Sequence, residues 1–272
     1  MKFVKQLFNF YLNSSIHVSL SVFSLTWITL LELDLAYNEP VLYFIFYASI
    51  TGYNFVKYFG IAKFHHRQLA GWLKVIQILS FICFCLMCFY LFQLRFLTLT
   101  YVFVFGVLTF LYAIPFLLKK DMSLRTIGGL KVFVIALIWT GVTVIIPVVN
   151  ESVSFTSDIA LMGFQRFLFI LVLMIPFEIR DLKFDSENLQ TIPQRIGISR
   201  TKYLGIILLG AFFLLEFLKD ETNSNQILIL LIVCFLTAIL ILLSKVNQGR
   251  YYSAFWVEAL PLIWLMLVIF IS

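Results

Sequence analysis

The chain has 272 residues, 62% of them hydrophobic and 12% charged, with a formal net charge of +6 and a mean hydropathy of +1.00. Soluble domains carry about a quarter charged residues, so this composition excludes one and reads as an integral membrane protein, a single domain over 1–272. Crossing a hydrocarbon core takes about 20 helical residues, and apolar runs of that order lie near 14–31, 40–61, 72–93, 96–117, 129–149, 159–177, 203–218, 226–243 and 254–271. Backbone groups in lipid must be satisfied within the protein, which makes these runs helices rather than barrel strands. The expected class is therefore all-α, a bundle of about nine transmembrane helices around a central cavity.

The first run carries Ser19, Ser21, Ser24 and Thr26 and lacks a small-residue cleavage site, so it reads as a retained helix. Lys2 and Lys5 before it read as topological anchors. The second run ends in Asn54, Lys57 and Tyr58, spaced i, i+3 and i+4 and so able to line one face. An amide, an ammonium and a phenol together suit an anionic group; equally, Lys57 can snorkel to the interface and Tyr58 can join an aromatic belt. The adjacent His65 and His66 diverge on a helix and make no metal site. Cys83, Cys85, Cys88 and Cys234 lie in apolar runs and behave as small hydrophobes.

The fourth run closes on Tyr112, Pro115, Lys119 and Lys120, and the fifth opens with Arg125, Gly128, Gly129 and Lys131. Lysines at a membrane boundary are usually anchors. Lys131 lies slightly inside its apolar run and calls for a partner.

After the sixth run comes the polar stretch Glu178 to Gly197, with four of the chain's 14 acidic residues. If the helix continues, Glu178, Asp181 and Asp185 are i, i+3 and i+7 and share a face, where carboxylates can hold a hard cation such as Mg²⁺. The other reading of this stretch is a solvated loop whose acids and bases neutralise one another. Glu258, at the entrance of the last run, faces the same side, as a helix cap or a further acid at that mouth. With the N-terminus inside, all but Arg95, Arg166 and Lys219 of the chain's 20 Lys and Arg fall on the cytoplasmic side. The protein is thus expected in a bacterial cytoplasmic membrane, with its N-terminus and long polar loops in the cytoplasm and the cavity open to them.

With nine helices and an acidic motif after the sixth, the chain resembles the UbiA superfamily of intramembrane prenyltransferases. Asp181 and Asp185 match the family's second Asp-x-x-x-Asp motif, and Thr191, Pro193 and Gly197 look like the Thr-x-Pro-x-x-x-Gly segment that often follows. Tyr112, Pro115 and Lys119 or Lys120 look like a further pattern at the end of the fourth helix. The first acidic motif is missing: with its Asn aligned on Asn54, the carboxylate positions hold Phe55, Tyr58 and Ala62.

The resemblance implies transfer of a prenyl group from a prenyl diphosphate to an aromatic or lipophilic acceptor within membrane lipid. Asp181 and Asp185 are then the Mg²⁺ ligands, Glu178 supports them, and Lys57 takes the place of the lost metal as a catalytic charge. Asn54, Tyr58, Tyr112, Lys119, Lys120, Arg125 and Lys131 are the expected substrate contacts. No nucleic acid and no protein partner are expected. The loss of the first motif supports an alternative, a non-catalytic relative that binds an isoprenoid lipid or assists a partner enzyme.

Overall fold

The computed structural model describes residues 2–64, 71–114, 129–185, 189–220 and 222–271. Lys119, Lys120, Arg125, His65 and His66 lie outside these residues. Every regular element among the described residues is helical. In order these are α1 (Lys2–Asn13), α2 (Ile16–Glu32), α3 (Glu39–Phe64), α4 (Gly71–Leu91), α5 (Phe96–Ala113), α6 (Lys131–Thr140), α7 (Ile146–Asn150), α8 (Ser157–Asp181), α9 (Ile192–Ile196), α10 (Ile198–Leu214), α11 (Ser224–Leu243) and α12 (Leu260–Ile271). A π-helical segment at Gly141–Ile145 joins α6 to α7, and another at Tyr252–Val257 leads into α12.

Seven of the described segments are long and apolar enough to span a bilayer, and α1 with α2 forms an eighth candidate bent by 53°. The remaining expected run, 40–61, lies in α3, whose 26 residues reach about 39 Å at 1.5 Å per residue. Asn54 and Lys57 make α3 more polar than the others, and both find internal partners.

Helices α2 and α8 form the centre. Helix α2 packs on α3 and α12, while α8 packs on α6 and α10. The main core draws Leu25 and Ile28 from α2, Phe169, Val172 and Ile175 from α8, Phe212 from α10, Val233 from α11 and Trp264 from α12. Between helices in lipid, small side chains allow close approach. The buried hydroxyls of Ser21, Ser24, Thr26 and Thr29 bond the carbonyls four residues back in α2, so they enter the core without an unmet donor. At Gly141 an added Cβ would collide with the Phe105 ring of α5. Gly141→Ala is expected to destabilise the protein by about 1–3 kcal/mol, read as a lower unfolding temperature in detergent; an unchanged midpoint would show that the ring yields freely.

One fully buried charge lies on α8. The Arg166 guanidinium donates to Leu25 O at 2.6 Å and Thr29 Oγ1 at 3.3 Å, and it covers the Trp264 ring at 5.2 Å. Around it, Gln165 donates to Glu216 Oε2 at 2.9 Å, and Lys219 pairs with the same carboxylate at 2.7 Å. Arg166, Glu32, Glu216 and Trp264 line a pocket of about 10 Å³, room for about one water. This group lies toward the end of the bundle opposite the acidic stretch.

Helix α1 bends away from α2 at Ser14 and Ser15. Ser15 has φ 62°, a left-handed conformation that costs a non-glycine residue about 1–2 kcal/mol. Phe8 packs against Tyr251 and Phe255 at 5.2 Å each, while Phe3, Val4 and Leu7 face outward with Lys5. An exposed apolar stripe beside lysines at the end of a membrane bundle is the pattern of an interfacial helix. Lys2 and Lys5, read as topological anchors, lie on this helix, at the start of the bent pair.

Candidate active site

The acidic stretch is built by the end of α8 and the turn after it. Glu178 and Asp181 are on the helix, which stops at Asp181. Beyond it one irregular further turn continues the path: Phe184 N and Asp185 N both donate to Asp181 O, at 2.8 and 2.9 Å, and Asp185 stays on the face of Glu178 and Asp181.

The following segment fixes this turn against α6. Gln194 Oε1 accepts from Thr191 N at 2.9 Å, and Gln194 Nε2 reaches Asp185 O at 3.5 Å. Gly129, with φ 73°, donates its N–H to Leu189 O at 3.0 Å. A side chain there would force a backbone conformation that glycine alone adopts readily. Two residues after Gly129, Lys131 begins α6 and meets the carboxylates.

Lys131 Nζ lies 3.1 Å from Glu178 Oε1, 3.7 Å from Asp185 Oδ2 and 3.9 Å from Asp181 Oδ2. The other oxygen of Asp181, Oδ1, accepts from Arg180 Nε at 2.8 Å. Arg180 in turn rests over the Phe177 ring at 5.2 Å. Three carboxylates, one ammonium and one guanidinium thus share a partly buried site with a formal charge of −1. Lys131 finds the partner its position in an apolar run demands.

Glu178, Asp181 and Asp185 are oxygen donors of the kind Mg²⁺ takes, and buried Glu178 Oε1 and Asp185 Oδ2 have no hydrogen-bond partner beyond the ammonium contact. The donor set fits a hard cation. Its present spacing suits the ammonium: Mg²⁺ holds oxygen at about 2.0–2.1 Å, whereas these oxygens stand 3.1–3.9 Å from Nζ. Among the described residues no three acidic, His or Cys side chains are spaced to ligate a metal together. A metal at Asp181 and Asp185 requires the ammonium to leave and the carboxylates to draw in.

Asn54, Lys57 and Tyr58 do share one face of α3, and all three point at the break between α1 and α2. Lys57 Nζ and Tyr58 OH both donate to Asn13 O, at 3.1 and 2.7 Å. Asn54 Nδ2 donates to Ser14 O at 3.0 Å and to Ser80 Oγ at 2.8 Å. A cation and two further donors on the last carbonyls of α1 complement the negative end of its dipole. Glu258 lies at the end of the second π-helical segment, within electrostatic reach of both Lys57 and Arg180. Tyr112 is buried at the end of α5, near Tyr53, whose hydroxyl accepts from Trp139 Nε1 at 2.6 Å.

No protein-family profile matches the sequence, and no curated protein matches it either. The architecture does have a counterpart: a solved structure of digeranylgeranylglyceryl phosphate synthase in membranes, 14% identical, superimposes with a TM-score of 0.57 over 97% of this chain and 98% of that one. The chain shares the fold of that synthase. At this identity the likeness concerns the fold alone. This fold places the end of α8, with Asp181, beside the start of α6, which is how Lys131 comes to stand among the carboxylates.

Arg180 is the charged member of the site that its sequence position does not single out. Arg180 sits beside Asp181, and its spacing from Phe177, i to i+3, is the signal that its side chain can fold back along α8.

Proposed function

We propose that the chain is a membrane-embedded prenyltransferase, moving a prenyl group from a prenyl diphosphate to an aromatic or other lipophilic acceptor. The observation that carries this is the cluster of Glu178, Asp181 and Asp185 around one cation site on a fold shared with a membrane prenyltransferase. In the reaction the allylic C–O bond breaks with its electron pair leaving on diphosphate; a bond forms between the prenyl carbon and the acceptor, which gives up a proton. Asp181 and Asp185 would hold Mg²⁺, which when bound neutralises charge on the departing diphosphate.

The chain's own residues do the rest. Arg180 and Lys57 provide fixed positive charge near the leaving group, with Lys57 standing where the family's first metal would be. Lys119, Lys120 and Arg125 are further phosphate contacts in this reading, and Tyr112 with Asn54 and Tyr58 bounds the substrate. An interior packed with aliphatic and aromatic side chains excludes water that would otherwise capture the prenyl cation. The distribution of basic residues orients the acidic end toward the cytoplasm.

The second reading is a non-catalytic relative that binds an isoprenoid lipid. It is favoured by Tyr58, which stands at one of the family's acidic positions and, with Lys57, holds the carbonyl of Asn13. Binding of a prenyl diphosphate to purified protein, with and without Mg²⁺, separates the two in wild type, Asp181→Asn and Lys57→Ala. Metal-dependent binding that both substitutions abolish is the expected result. Absence of binding under either condition leaves the lipid-binding relative.

A further inference from the structure

We infer that Lys131 is a built-in counter-ion that occupies the cation position of the acidic cluster, and that it gives way to metal only when a diphosphate arrives to receive it. This rests on the reading of Asp181 and Asp185 as metal holders. It adds a coupling between metal and substrate, set by a residue of this chain.

The argument is one of space and charge. The ammonium is surrounded by one oxygen from each of three carboxylates, at 3.1, 3.7 and 3.9 Å. A divalent cation that takes these oxygens holds them at about 2.0–2.1 Å, closer than the ammonium that now stands between them, so on this face of the carboxylates the ammonium and the metal exclude each other. Arg180 does not compete in this way, because it holds Oδ1 of Asp181 while Lys131 faces Oδ2.

Charge sets the direction of the exchange. With Lys131 and Arg180 in place the cluster carries −1, a weak attraction for a divalent ion that must also displace a bound ammonium. A displaced Lys131 needs a new anion, since its side chain is largely buried at the start of α6. A diphosphate oxygen meets that need, and a lysine's flexible stem lets the charge move over to it. Metal entry and diphosphate entry then each remove an obstacle to the other, which is positive coupling and by linkage reciprocal.

The test uses Mn²⁺ as a spin-active probe, titrated by electron paramagnetic resonance into the purified full chain with and without a prenyl thiodiphosphate that cannot ionise readily. Wild type is expected to bind Mn²⁺ weakly alone and about tenfold or more tightly with the thiodiphosphate, in the range of ordinary coupling factors. Lys131→Met, which removes the competing charge at similar length, is expected to bind Mn²⁺ about tenfold or more tightly without any thiodiphosphate. Lys131→Arg keeps a cation on the carboxylates and is expected to stay weak.

Equal Mn²⁺ affinity in wild type and a folded Lys131→Met, or tight Mn²⁺ binding by wild type alone, overturns the inference. Should Lys131→Met fail to fold, the wild-type titration and Lys131→Arg still decide it, since tight metal binding in either sinks the exchange. A protein that binds no thiodiphosphate while Lys131→Met still gains metal affinity would defeat the prenyltransferase reading and leave Lys131 as the occupant of the cation site.

Discussion

Asp185→Asn is expected to lower prenyl transfer by about two to three orders of magnitude, the usual loss when one fixed electrostatic group is removed from a reacting centre. Its fold should survive, for a structural reason: Asp185 lies in the turn beyond α8 and faces Lys131 at 3.7 Å, while Glu178 remains nearer, at 3.1 Å. The substitution takes the cluster from −1 to 0, so Lys131 keeps balancing carboxylates and no charge is stranded. Single-turnover transfer from a prenyl diphosphate, measured alongside the thermal unfolding midpoint, separates chemistry from stability. Wild-type turnover in a folded Asp185→Asn protein would remove this residue from the mechanism. Loss of turnover together with a large drop in the midpoint would instead give the Asp185 carboxylate a structural duty in its contact with Lys131.

The largest stability effect is expected far from that site, at Arg166→Met. Methionine fills much of the same length but removes the guanidinium from Leu25 O and Thr29 Oγ1 and leaves the buried pocket it shares with Glu32 and Glu216 short of one positive charge. Removing one member of a buried ionic group costs about 3–5 kcal/mol. At the slope seen for chains of this size that is a fall of about 10 °C in the unfolding midpoint. Arg166→Lys should fall between the two, because it restores charge but not the fork that reaches Leu25 O and Thr29 together. A midpoint for Arg166→Met within a degree of wild type would mean that the carboxylates around it are already protonated and need no cation.

Much of the helical architecture could be read from hydropathy, because the requirement for about 20 apolar residues leaves few alternatives. The exceptions have physical causes. Helix α1 is not visible as a separate element in hydropathy because its apolar face, Phe3, Val4 and Leu7, is too short to register as a span, and it is set off from α2 by a 53° bend. The common face of Asn54, Lys57 and Tyr58 followed from spacing, but not what they bind. That depends on the left-handed Ser15, and a serine in that conformation leaves no mark in a sequence.

At the acidic cluster the three carboxylates and the unmet demand of Lys131 were both legible. Their meeting was not, since it depends on the Gly129 to Leu189 hydrogen bond joining segments 60 residues apart. By sequence Arg166 falls on the outer side near the edge of an apolar run, and that position does not show how deeply α8 buries it. The carbonyl of Leu25 and the hydroxyl of Thr29, on a helix almost 140 residues earlier, explain how it is tolerated.

That distance along the chain has a consequence for biogenesis. Arg166 enters the bilayer about 13 Å along α8, and a lone helix bearing a guanidinium near mid-membrane is disfavoured by roughly 2.5–3.5 kcal/mol during insertion. Helix α2 emerges from the ribosome long before α8 and already presents Leu25 O and Thr29 Oγ1. Insertion of the sixth span is therefore a templated event: α8 is stable in lipid once it has found the first span, and the interval between their syntheses, more than half the chain, is the period in which α2 must remain available to receive it.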